Sequence, residues 1–145
     1  MTIEIKVRKL QNDAKIPVKA HDDDAGYDLF AYEECTIQPG QSRLIPTGVA
    51  LELPPMTEAQ IRPRSGLALR HQVTVLNTPG TIDAGYRGEI GVILINHGAE
   101  VYTVSKGDRV AQLVIGQVLA SQMKETDSLE ESDRGIGGFG STGSG

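Results

Sequence analysis

Along the first segment of the chain Ile3, Ile5 and Val7 alternate with Glu4, Lys6 and Arg8, the period of two expected of a strand with one buried face. Short runs rich in Val, Ile and Leu recur over residues 28–32, 43–53, 72–76, 90–96, 101–104 and 109–119. Between them stand turn signals such as Pro39-Gly40, Pro54-Pro55, Pro79-Gly80 and Lys106-Gly107-Asp108, where proline fixes φ and glycine adopts conformations closed to other residues. Many short strands at this spacing predict an all-β fold, a jelly roll or β-barrel, in preference to a parallel α/β architecture. One short helix is predicted over residues 65–70, with Ser65 as its N-cap.

Composition adds a domain count and a list of exclusions. The 145 residues are 39% hydrophobic, enough for one real core and too few for two independent enzymatic domains. Seventeen Gly and seven Pro discourage long helices. We expect a core over residues 1–122, an acidic linker over 123–133, and a flexible Gly-rich C-terminal arm over 134–145. The arm holds six glycines and little apolar area, so it cannot order by itself. Nineteen acidic against fourteen basic residues give a net charge of -5, which argues against generic binding to nucleic acid or to a membrane surface. The lone Cys35 cannot close an intrachain disulfide, and no apolar run approaches the roughly 20 residues of a membrane span. No apolar leader opens the chain, so the expectation is a cytoplasmic protein. The three His and one Cys lack metal-ligand spacing.

Three segments concentrate chemistry. The arm reads Arg134-Gly-Ile-Gly-Gly-Phe139-Gly140-Ser141-Thr142-Gly143. It satisfies GxGxxG formally, but no strand precedes it and no helix can follow, so a dinucleotide-binding reading fails on context. A functionless Gly/Ser terminus is the plain alternative. Phe139, the only aromatic after Tyr102, and Arg134 beside an acidic run both argue against it. Main-chain N–H groups, hydroxyls, a guanidinium and an aromatic face together suit a phosphorylated ligand with a flat base. In residues 77–91, Asn77, Asp83 and Tyr86 lie among glycines, in what reads as a hairpin turning at Ala84-Gly85. There Asp83 either caps the turn or, beside a partly enclosed floor, takes a proton from water. Third, Arg62-Pro63-Arg64-Ser65-Gly66 brings two cations and a hydroxyl to the start of the helix. That is a phosphate site in type, or an ordinary capped helix with solvated arginines.

Taken together, Ala25-Gly-Tyr-Asp28-Leu-Phe-Ala31, Pro63-Arg-Ser-Gly66-Leu-Ala-Leu69, Gly80-Thr-Ile-Asp83-Ala-Gly-Tyr86-Arg-Gly88, Gly107-Asp-Arg-Val-Ala-Gln112-Leu and residues 134–143 resemble, in order, the five motifs of the trimeric dUTPase family. The resemblance implies a β jelly roll that assembles as a homotrimer with active sites shared among chains. It implies dUTP diphosphatase activity, hydrolysis of dUTP to dUMP and pyrophosphate, which keeps uracil out of DNA and supplies dUMP for thymidylate synthesis. By that similarity Asp83 would orient and deprotonate the water that attacks the α-phosphorus. Tyr86 would lie against the deoxyribose, leaving no room for a ribose hydroxyl. Asn77 and the main chain of Thr81, Ile82 and Gly91 would bind the uracil edge, in a space too narrow for a 5-methyl group. Arg64, Ser65, Gly66 and Gln112 would bind phosphate, with the Ser65 hydroxyl near the α–β bridging oxygen. Magnesium would be held mainly by the triphosphate, with Asp28 acting on it through water. In the arm, Phe139 would stack on uracil, Arg134, Ser141 and Thr142 would grip the phosphates, and Gly140 belongs to the same substrate-binding set. The arm would then close as a lid on binding.

Two rivals are distinguishable. A dCTP deaminase would share the fold but carry a catalytic Glu where this chain has Ile93, and isoleucine cannot shuttle protons. A catalytically silent jelly-roll trimer acting as a sensor predicts a lost base or a lost arm, yet Asp83 and the whole arm are present.

Overall fold

The computed structural model of the chain describes residues 2–141 and residue 143. Thr142, assigned a phosphate contact by resemblance, lies outside the described residues. The strands are β1 (Lys6–Lys9), β2 (Gly26–Phe30), β3 (Cys35–Ile37), β4 (Ser42–Glu52), β5 (Thr57–Arg62), β6 (Val73–Val75), β7 (Gly80–Ile82), β8 (Glu89–Asn96), β9 (Tyr102–Val104) and β10 (Arg109–Gln117). A single helix, α1 (Ser65–His71), sits between β5 and β6. All strand pairs are antiparallel. One sheet runs β1-β4-β8-β6 and the other β2-β10-β5-β7, with β3 and β9 forming a separate pair. The two four-stranded sheets stay open and enclose one core between them, the jelly-roll form of the expected all-β fold.

The alternation in the sequence explains the packing. In β8, Ile90, Val92, Leu94 and Asn96 point inward and are buried, while the residues between them are not. Facing them are Leu29, Ala111, Leu113 and Ile61 from the second sheet. Burial of such side chains contributes roughly 1.5–3 kcal/mol each. Two polar residues are also buried, and both are satisfied. The Asn96 amide donates to the carbonyls of Ile37 and Glu100 at 2.9 and 2.7 Å and accepts from Gly98 N–H, and the Thr47 hydroxyl donates to Ile90 O at 2.6 Å.

Three strands escape the hydrophobic pattern. β3 (CTI) and β7 (GTI) carry one aliphatic side chain each, whereas the equally short β6 and β9 lie in Val-containing runs, and β5 (TEAQIR) offers only Ala59 and Ile61 to the core. The helix differs in one detail as well. Arg64 is the N-cap, its backbone extended, and Ser65 is the first helical residue with no capping role. The helix ends on Gln72, which adopts the left-handed conformation usual after a final turn.

Candidate active site

The predicted hairpin over residues 77–91 is not a paired ladder. β7 pairs with β5 in one sheet, and β8 pairs with β4 and β6 in the other. The chain between them therefore bridges the two sheets, and its arms diverge. The gap they leave is a cavity of about 230 Å³ lined by Asn77, Gly80, Thr81, Ile82, Asp83, Tyr86 and Gly91, with Ile61, Glu89 and Ile90 completing its walls. The candidate site residues of this segment, Asn77, Thr81, Ile82, Asp83, Tyr86 and Gly91, all line that one space.

Local contacts hold it open. The turn closes through the backbone, Tyr86 N–H donating to Asp83 O at 3.1 Å. The Arg87 guanidinium donates to Ala84 O at 2.6 Å and approaches Glu52 at 4.0 Å. Gly80 is buried beneath Asn77. A Cβ there would stand 3.2 Å from the Asn77 amide nitrogen, so the absent side chain lets the amide lie across the floor. On the opposite wall, Glu89 accepts a hydrogen bond from Gly48 N–H at 2.8 Å. That contact braces the point where the β4–β8 register shifts between Pro46 and Ala50. Asp83 does not cap the turn. Among the described residues its carboxylate has no hydrogen-bond or ion-pair partner, and it is exposed at the cavity mouth. A carboxylate so placed is available as a proton acceptor.

A second cluster forms where β2, β10 and the start of α1 meet. Asp28 lies opposite Gln112 in the ladder. Its two oxygens face Arg109 at 3.1 Å and Arg64 at 3.9 Å. Gln112 donates to Pro63 O at 3.0 Å, and its amide covers Gly26, where a Cβ would collide with the side-chain oxygen at 2.2 Å. Ser65 and Gly66 follow in the first turn of α1. The cluster thus presents two guanidiniums and an amide about one carboxylate, with Ser65 next in sequence to Arg64, a set suited to anionic oxygens. The tie between Arg109 and Asp28 is invisible in the sequence, because only the β2–β10 register sets it. Tyr102 is half-buried nearby, and its phenol is pushed up, first by desolvation and then by Asp108.

One chain keeps the two clusters apart. Asp28 and Asp83 are separated by three strand spacings and by four residues along the sheet, about 14 Å across and about 13 Å along. The arm joins neither. After β10 the described residues form no helix or strand. Phe139 and Ile136 are fully exposed, and Arg134 donates only to Gly137 O at 2.7 Å. Ser141 and Gly140 likewise bond only within the arm.

Among the described residues no group of three His, Cys, Asp or Glu is arranged to hold a metal ion, and no helix is long and apolar enough to cross a membrane. Asp28, already faced by two arginines, fits a cation only if other oxygens carry most of its coordination.

Comparison with known proteins bears on this arrangement. The profile of the dUTPase family matches residues 12–143. The deoxyuridine 5'-triphosphate nucleotidohydrolase of Gloeothece citriformis is 60% identical over 97% of both chains, and that of Clostridium tetani is 60% identical over 96% of both. Among solved structures, the Staphylococcus bacteriophage 80alpha dUTPase with dUPNHPP is similar with a TM-score of 0.91 and 29% identity, covering 99% of this chain and 100% of that one.

Proposed function

The chain belongs to the dUTPase family, and from that premise we propose that it hydrolyses dUTP to dUMP and pyrophosphate at a site shared among three copies of itself. The observation that carries this reading is the Asp83 carboxylate, without a partner among the described residues, at the mouth of a cavity lined by Thr81, Ile82 and Gly91. Uracil enters that cavity and meets Asn77 and the main-chain groups, while Tyr86 lies against the sugar. Asp83 orients a water and takes its proton as the water attacks the α-phosphorus in line.

The phosphates extend away from the cavity toward cations. Arg64, Ser65, Gly66 and Gln112 receive them, and charge collecting on the leaving pyrophosphate is met by donors already in place. Asp28 would hold a triphosphate-bound magnesium ion through water, and the ion would neutralise phosphate charge. Because Asp28 and Asp83 lie so far apart in one chain, the phosphate cluster serving a given cavity comes from a neighbouring copy. The arm of residues 134–145 closes over the site, with Phe139 on the base and Arg134, Gly140, Ser141 and Thr142 about the phosphates. Its length supports this reach, since residues 123–133 extended could span up to about 35 Å.

Incubation with dUTP and magnesium, followed by assay for pyrophosphate, tests the reading. Release of pyrophosphate is expected. Ammonia release from dCTP would favour the deaminase, and tight nucleotide binding without turnover would favour a sensor. No enzymatic product from either nucleotide overturns the proposal.

A further inference from the structure

The Tyr86 ring folds back over the loop, and its hydroxyl donates to Glu89 O at 2.9 Å. Directly beneath it lies Gly88. A Cβ at that position would stand 2.4 Å from the Tyr86 hydroxyl oxygen, 2.6 Å from Cζ and 2.9 Å from Cε1. These are the tightest contacts with a ring in this segment, so a side chain at residue 88 and the ring as it lies cannot coexist without a shift, and the exposed Tyr86 ring is the part freest to move. Backbone freedom is not the reason for a glycine here, since Gly88 is absent from the positive-φ positions. The requirement is for space alone.

We propose that Gly88 is a specificity-determining residue that acts through Tyr86. By having no side chain it lets the ring lie flat, with its hydroxyl anchored on Glu89 O, at the depth where the sugar of the substrate must pass. A ring held there closes the volume that a 2'-hydroxyl would need. A methyl group at residue 88 lifts the ring, breaks the anchor and opens that volume. Selectivity for deoxyribose over ribose is therefore set one layer below the residue that faces the sugar. This inference rests on the proposed dUTP hydrolysis and on the ribose-excluding role that the family resemblance implies for Tyr86; what it adds is Gly88 as the residue that positions that ring.

The full-length protein is assayed with dUTP and with UTP, and the ratio of the two kcat/KM values is the readout. If the parent hydrolyses neither nucleotide, the functional reading fails before any variant is compared. If the parent prefers dUTP, Gly88→Ala is expected to lower the ratio by about tenfold or more, the scale at which a small pocket tells one hydroxyl from none. Gly85→Ala, in the same loop but with open space around its Cβ, is expected to keep the ratio of the parent. The same Gly88→Ala change made in a Tyr86→Ala background is expected to change the ratio by less than about twofold, because its effect travels through the ring. An undiminished ratio in a folded Gly88→Ala protein overturns the proposal, and so does an equal fall in both backgrounds. Should Gly88→Ala lose its fold in a melting scan, Tyr86→Phe decides: removing the anchor alone should lower the ratio by about threefold, and no change overturns the proposal.

Discussion

Residues 77–91 and residues 134–141 are similarly rich in glycine and in chemistry-bearing side chains, yet they differ in what holds them. The first segment is suspended between two sheets: Gly80 and Ile82 are buried, Ile90 is 1% exposed, Glu89 and Arg87 tie the loop to Gly48 and Glu52, and Tyr86 bonds back within it to Glu89 O. Among the described residues the second makes hydrogen bonds only within residues 132–143 and leaves Phe139 fully exposed. Glycine serves opposite ends in the two. In the loop it makes room for Asn77 and Tyr86 beside rigid strands. In the arm, Gly135 and Gly140 adopt left-handed turns with open space around them, and nothing opposes the entropy of the free chain. A rigid wall suits selection among bases, whereas a segment that orders only with ligand suits closure after entry.

The largest effect should come from the rigid segment. Asp83→Asn keeps the shape of the side chain but cannot accept a proton, so hydrolysis is expected to fall by about a hundredfold or more while a non-hydrolysable dUTP analogue still binds. Initial rates of pyrophosphate release with a parallel binding titration measure both. Turnover close to the parent in an intact assembly would remove Asp83 from its assigned role.

Mixing experiments then ask whether the two regions work across chains. A chain cut before Arg134 and a full-length chain carrying Asp83→Asn should each be nearly inactive. Co-refolded, they should regain activity, because some sites would pair the intact Asp83 of a shortened chain with an arm donated by its neighbour. Mixed assemblies as inactive as their components would mean that the arm serves its own chain.

A smaller effect is expected within the arm itself. Phe139→Ala should weaken catalysis by about 1–3 kcal/mol, the scale of base stacking on an aromatic ring, without moving the melting temperature of the empty protein. A marked drop in that temperature would place Phe139 in the core and end the contrast between the segments.

The smallest effect lies outside both regions, where Asp13 joins the N-terminal loop to the turn before β10. Lys106 at 2.6 Å and the Tyr32 hydroxyl at 2.5 Å hold its carboxyl down at about 2, below the ordinary 3.8. A carboxyl depressed by folding adds stability that is fully present above pH 3.8 and is lost as the pH falls through about 2. The melting difference between the parent and Asp13→Asn should therefore close over that window. A difference that widens in acid would contradict the assignment.

The amino-acid sequence by itself determined the all-β class and most strand positions, and it concentrated the chemistry-bearing side chains in a few short segments. Period-two alternation in β8 and the turn dipeptides are local signals, and the inward face of a strand follows from the parity of its residues. The strands β3 and β7, with one aliphatic side chain each, and the weakly apolar β5 gave no hydrophobic run to read. Tertiary structure alone decided that residues 77–91 straddle two sheets, that Arg109 lies beside Asp28, and that a methyl group at Gly88 would meet the Tyr86 ring. These are facts of register and strand order, and they depend on pairings between residues far apart in the chain. Local propensity carries no information about which distant strand will supply the partner. The core's demand to bury both sheets at once selects it.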